Sequence, residues 1–280
     1  MSDCEYKEND LRRIQSIELE ILRVFTEICD KLNIDYFADG GTALGAVRHR
    51  GFIPWDDDVD VGMTRDNYDR FLLEAPTILP DYLTIQSPYN DKQTPYYYSK
   101  IRYNGTKFVE YCNRKLNNNQ GIYIDIFPFD EVPDDERQNK RQYRHFQRWM
   151  LLFKLRQSPE LSAPPHGLFQ RIKAIIRICA HFLVQAVPYC FVLKKLDSIA
   201  TQFNGTGQSM FSLLPTVKRN WDCFRARGYK PFIMMPFESL SLKMLHDYDA
   251  NLRSLYDDYM QLPPVEQRTG HRPYLLEFDL

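Results

Sequence analysis

No two cysteines in this sequence have the spacing of a zinc or redox motif. The six (Cys4, Cys29, Cys112, Cys179, Cys190 and Cys223) are scattered and include no C-x-x-C, so neither a zinc site nor a disulfide framework follows. An excess of one charge is lacking too. Lys and Arg number 36 against 37 Asp and Glu, a net charge of -1, which leaves no global field to recruit nucleic acid. The start, Met1-Ser2-Asp3-Cys4-Glu5, is polar and acidic and has neither the basic nor the apolar region of a secretion signal. These absences predict a reduced, cytoplasmic protein. There is no uninterrupted apolar run of membrane length either. Leu168 to Leu196 comes nearest, but Arg171, Lys173, Arg177, His181 and Gln185 break it, and a charge near a bilayer centre costs roughly 2.5–3.5 kcal/mol on insertion scales. Internal repeats and low-complexity segments are missing as well.

What is present is the material of a folded core, with 44% hydrophobic and 26% charged residues. Asn9 or Asp10 can cap a helix whose apolar residues Leu11, Ile14, Ile21, Phe25, Ile28 and Leu32 keep helical spacing. A short strand near Tyr36 to Ala38 leads into Gly40-Gly41-Thr42, then a helix from Ala43 to His49. An aspartate-bearing strand follows to about Met63, and Thr64 caps the next helix, which ends before Pro76. Tyr96 to Tyr103 and Thr106 to Tyr111 flank Asn104-Gly105 and predict a hairpin with a type I′ turn. Gly121 to Phe127 reads as an apolar strand stopped by Pro128. Residues 134–157 are helical and basic, and 158–167 form a linker. A helical pair spans 168–203 with a break near Pro188. Short strands at Met210 to Val217 and Ser239 to Met244, a helix from about Asp247 to Met260 and an irregular tail complete the chain.

The chemistry gathers at Asp56-Asp57-Asp58-Val59-Asp60-Val61. In a strand, side chains alternate, so Asp58 and Asp60 share one face while Val59 and Val61 enter the core. Carboxylates held that close repel, and a hard divalent cation, Mg²⁺ or Mn²⁺, relieves the repulsion. An EF-hand loop starting at Asp56 fails, since Val61 stands where glycine is required and Asn67 where glutamate is. The D-D-x-x-D of isoprenoid synthases needs a long helix, which Pro54 and the β-like Val-Asp-Val oppose. The D-x-D of metal-dependent glycosyltransferases fits Asp58-Val59-Asp60 and stays open. Gly40-Gly41-Thr42, placed between strand and helix, offers backbone N–H groups where phosphate binds. Arg48 is a candidate to clamp phosphate oxygens; the alternative is a basic helix end that complements the dipole. Asp125, a lone acid in Ile122-Tyr123-Ile124-Asp125-Ile126-Phe127, is costly to bury unpaired and is expected to face the same site as third metal ligand and proton acceptor. Asp130 reads as a turn residue.

Assembled, Gly40 through Val61, with Gly121 through Asp130 and Tyr256 through Pro264, resembles the LicD family of phosphotransferases, which includes relatives of fukutin. The resemblance implies an α+β fold, with a nucleotidyltransferase-like mixed sheet core, helices and a mainly helical insertion. The expected layout is a catalytic core over 1–133, a helical region over 134–207, and strands and a helix over 208–280 that complete the core. It further implies Mg²⁺-dependent transfer of a phospho-alcohol, phosphocholine from CDP-choline above others, to a hydroxyl of a surface glycan or its lipid-linked precursor in lipopolysaccharide or teichoic acid synthesis, releasing CMP. Carried over by position, Gly40 and Gly41 hold phosphate, with Thr42 and Arg48 beside them; Asp58, Asp60 and Asp125 hold metal and catalyse. The family often has glycine before the aspartate in the stretch that here reads Leu255-Tyr256-Asp257-Asp258-Tyr259, a departure that touches a helix end. Tyr96, Tyr97 and Tyr98 are candidates to face a choline cation, or ordinary strand packing. The 168–196 segment is either a packed helix or an interfacial one, on the cytoplasmic membrane face, beside a lipid-linked acceptor. A D-x-D glycosyltransferase and a non-catalytic glycan- or cation-binding protein are the alternative functions.

Overall fold

The computed structural model describes residues 9–161, 163–164, 167–216, 219 and 222–278. The acidic start with Cys4, part of the 158–167 linker and Val217 lie outside the described residues. Helix α1 (Asp10–Leu32) buries Ile14, Ile17, Ile21, Leu22, Phe25 and Ile28 along one stripe and ends at Asn33, whose φ is 51°. Strand β1 (Phe37–Ala38) enters α2 (Gly40–His49), so the helix opens at the glycine pair rather than at Ala43. Strand β2 (Asp60–Thr64), helix α3 (Arg65–Glu74), strands β3 (Leu83–Gln86), β4 (Ser99–Tyr103) and β5 (Lys107–Val109), and the long β6 (Tyr123–Val132) follow. Then come α4 (Glu136–Gln157), α5 (Gly167–Val184), α6 (Tyr189–Ala200), β7 (Met210–Ser212), β8 (Cys223–Arg225), β9 (Ile233–Phe237), β10 (Leu240–Met244), α7 (Tyr248–Tyr256) and β11 (Leu275–Glu277).

The main sheet has the order β1-β2-β6-β4-β3, extended from β6 through β7 to β8. β2 and β6 are parallel and the other pairs antiparallel. This mixed sheet, covered by helices, is the α+β architecture the sequence implied. Gly62 of β2 lies under the rings of Phe37 from β1 and Phe129 from β6, since a Cβ there would come within 2.3 Å of the first and 2.9 Å of the second.

Three expectations change. The strand expected to stop at Pro128 runs through it to Val132. On the side of β6 away from β2, β4 pairing ends at Ile126 and β7 pairing begins at Asp130. Pro128 sits in the gap, where a missing N–H breaks no ladder. The Asn104-Gly105 hairpin does not form, because β5 pairs with β11, in a tail expected to be irregular. Only Gly105 has positive φ, at 83°, whereas a type I′ turn needs two such residues. Asp130 is no turn residue but a buried member of β6, held by Arg65.

A second apolar cluster joins Phe146, Met150 and Phe153 of α4 to Val192, Leu193, Leu196 and Ile199 of α6, with Tyr97 and Val132 against it. Helix α5 is different, because none of its residues is buried. Among the described residues no single helix is long and apolar enough to cross a membrane; α5 and α6 reach that length only as a pair bent by 98°.

Candidate active site

Val59 and Val61 are fully buried and Asp58 and Asp60 half-buried, as expected of the aspartate run, but β2 begins only at Asp60, so Asp58 lies just before the strand. Parallel register sets Asp60 beside Asp125, and the Asp125 N–H donates to the Val59 carbonyl at 2.8 Å. Thr42 fixes the approach of α2, its Oγ1 accepting the Asp60 N–H at 2.8 Å. The glycine pair lets carboxylates close on the helix start. A Cβ on Gly40 would lie 3.0 Å from Asp60 Oδ2, and one on Gly41 2.7 Å from Asp56 Oδ2. Acids thus crowd the positive end of a helix, where anions gain most.

Burial is the largest influence on every acid here, and it raises Asp58, Asp60 and Asp125 above the usual carboxylate range, with Asp56 pushed up to about 8. Mutual repulsion adds to it, as Asp60 is raised further by Asp58 and Asp125. These groups cannot all ionise together without a cation.

Asp125 has an internal partner that sequence reading missed. Lys100 stands opposite it in the antiparallel register of β4 and β6 and reaches its Oδ1 at 2.5 Å. Burial lowers Lys100 from the ordinary lysine range, and the Asp125 carboxylate counters that. The tightest grouping of candidate ligand atoms, within 4.8 Å of one another, is instead Asp57, Asp58 and His271. Among the described residues Asp58, Asp60 and Asp125 do not gather that closely. Asp57 accepts the His271 N–H at 2.8 and 2.9 Å and the Arg272 N–H at 3.3 Å, so it secures the 270–272 segment over the site. The hydrogen bond to Asp57 is also the main reason that His271 is pushed up to about 9.

Glu18 of α1 is a further buried acid the sequence reading passed over. Among the described residues its Oε2 has no hydrogen-bond partner, and burial, then Asp58, pushes its pKa well up. The signal was available, since Glu18 lies in the stripe of Ile14, Ile21, Leu22 and Phe25. Tyr256 of α7 also reaches the site, its hydroxyl 3.8 Å from where a Gly40 Cβ would lie. Arg48 directs Nη1 to the carbonyls of Tyr259 at 2.8 Å and Gln261 at 3.3 Å, tying α2 to the segment after α7. Asp257 ends α7 with a φ of 53°.

Beside Lys100 opens a cavity of about 470 Å³, lined by Tyr96, Tyr98, Glu110, Asn113, Lys154 and Arg177 among others. The Tyr96 and Tyr98 rings are 5.1 Å apart, and the Lys100 ammonium lies 4.5 and 5.3 Å from their centroids. Tyr97 turns away, packing on Phe146 and donating its hydroxyl to Asp197 at 2.6 Å.

Residues 33–159 match the family model of the LicD/FKTN/FKRP nucleotidyltransferase domain. Over 276 residues, 95% of this chain and 97% of the other, the sequence is 28% identical to the lipopolysaccharide cholinephosphotransferase LicD of Haemophilus influenzae. An uncharacterized protein of Rickettsia typhi is 35% identical over 135 residues, 48% of this chain and 36% of that one. Another, from Rickettsia prowazekii, is 37% identical over 83 residues, 29% of this chain and 30% of that one.

Proposed function

For a chain whose residues 33–159 belong to the LicD/FKTN/FKRP family of nucleotidyltransferase domains, we propose transfer of a phospho-alcohol from a CDP-alcohol to a glycan hydroxyl, with CMP as leaving group. Phosphocholine is the first choice of group, and similarity to the Haemophilus influenzae cholinephosphotransferase along nearly the whole chain supports it. The observation that carries the reading is the file of buried, mutually repelling acids against the glycine-lined start of α2.

Asp58, Asp60 and Asp125 offer only oxygen, with the Glu18 carboxyl near them, and these three fit a hard divalent cation such as Mg²⁺ or Mn²⁺. Asp58 and Asp60 would hold it, with Asp125 as third carboxylate; bound there, it neutralises diphosphate charge and fixes its orientation. The protein's own groups do the rest. Thr42 holds the backbone of Asp60, and the Gly40 and Gly41 region presents a helix start to phosphate oxygens. Lys100 keeps Oδ1 of Asp125 engaged, leaving Oδ2 to take the proton of the acceptor hydroxyl. The acceptor oxygen bonds to the phosphorus bearing the alcohol as the bond to the CMP oxygen breaks. Tyr96 and Tyr98, with Glu110 beside them, offer aromatic faces and an acid to a quaternary ammonium.

The test is incubation with CDP-choline, CDP-ribitol and CDP-glycerol and a glycan precursor, with and without chelator. CMP release that is fastest with CDP-choline and abolished by chelator is expected. Chelator-insensitive release, or activity only with a nucleotide-sugar that yields UDP, would reject the reading.

A further inference from the structure

We propose that α5 docks this protein on an anionic lipid surface, lying in the headgroup plane with its apolar face down. The helix is turned inside out relative to water. Leu168, Phe169, Ile175, Ile176, Phe182 and Leu183 are between 60% and 80% exposed. The half-buried stripe that faces the protein is mostly small or polar: Ala174, Arg177, Ala180 and His181, with Val184 at its end. Arg177 donates to the carbonyls of Ser158 and Pro159 at 3.3 and 3.2 Å, and His181 Nδ1 lies 2.8 Å from the Leu155 carbonyl. A water-facing helix places these two classes the other way round. The helix thus packs against α4 through its polar side and leaves its apolar face outside, and an apolar surface of this kind marks an interaction site.

The charges select the occupant. At 100° per residue, Arg171 flanks one edge of the apolar face and Lys173 the other. Helix α5 contains no Asp or Glu, and residues 137–196 hold twelve Lys and Arg against the single acid Glu160. A second copy of the chain laid on this face would set cations against cations with no carboxylate to pair them. An anionic bilayer takes both the apolar face and its basic rim. Lys173 and Arg177 also line the cavity that holds Tyr96 and Tyr98, so the docked face adjoins that opening. If the transferase reading holds, a lipid-borne acceptor hydroxyl arrives on this side; the docking itself does not depend on it.

The test uses the full chain in co-sedimentation with phosphatidylcholine vesicles, with and without phosphatidylglycerol. Binding is expected to the anionic vesicles, falling roughly tenfold or more in Phe169→Glu/Phe182→Glu and weakening with salt and in Arg171→Glu/Lys173→Glu. The substituted side chains are exposed, so unchanged melting confirms that each variant is folded. Absence of binding, or binding equal in both variants, overturns the proposal. So does a concentration-dependent dimer, lost in Phe169→Glu/Phe182→Glu without vesicle binding, which would give the face to a second copy. Vesicle binding requires no turnover, so an inactive protein that binds leaves this inference standing while it removes the transferase reading.

Discussion

Strands β2 and β6 run side by side and carry acids at both ends, yet the two ends treat them in opposite ways. At one end Asp130 of β6 receives a two-pronged contact from Arg65, which directly follows β2, with Nε to Oδ1 at 2.9 Å and Nη2 to Oδ2 at 2.7 Å. Asn204 adds a third donor to Oδ1 at 2.8 Å. The other end holds Asp56, Asp58 and Asp60 with Glu18 near them; of the cations there, Lys100 pairs with Asp125, and His271 is shared between Asp57 at 3.2 Å and Asp58 at 3.5 Å. One end therefore balances its charge within the chain, and the other crowds more carboxylates than the cations beside them can match. The first arrangement serves the fold, and the second leaves room for chemistry.

This contrast can be broken in order of effect. Asp58→Asn and Asp60→Asn should each abolish CMP release while melting, measured without metal, stays level or rises because a repelling charge is gone. Persistent turnover in either variant would erase the functional end. Arg65→Met leaves Asp130 buried and uncompensated and should cost about 3–5 kcal/mol, read by denaturant unfolding. Arg65→Met/Asp130→Leu should recover most of that loss; failure to recover would mean that packing, not charge, makes this end matter. Thr42→Val removes the acceptor for the Asp60 N–H and should cost about 1–3 kcal/mol, with KM for the donor rising alongside. The smallest effect is expected at Asp257, whose positive φ penalises a side chain. Asp257→Gly should stabilise by about 1 kcal/mol, and unaltered or lowered melting would show that the side chain earns its place.

Local pattern made part of this legible. Alternation in Asp58-Val59-Asp60-Val61 located the acids, and the glycine pair located the helix start, because both follow from neighbours along the chain. The spacing of α1 and the break at Pro188 were readable for the same reason. What was hidden depends on partners distant in sequence. Lys100 meets Asp125 only through strand register, and Arg65 meets Asp130 from 65 residues away. β5 pairs with β11 instead of the near neighbour that Asn104-Gly105 advertised, a partner more than 160 residues away that no local pattern reveals. For α5 the pattern left open whether the apolar face is packed or outside, and only the packing against α4 shows that it is left outside.

The grip of Asp57 on the backbone of His271 and Arg272 spans more than 210 residues. During synthesis Asp57 leaves the ribosome more than 210 residues ahead of the backbone it holds. The two can meet only once residues near 271 are free to fold back, so this contact forms after the strands that carry Asp60 and Asp125 have been made.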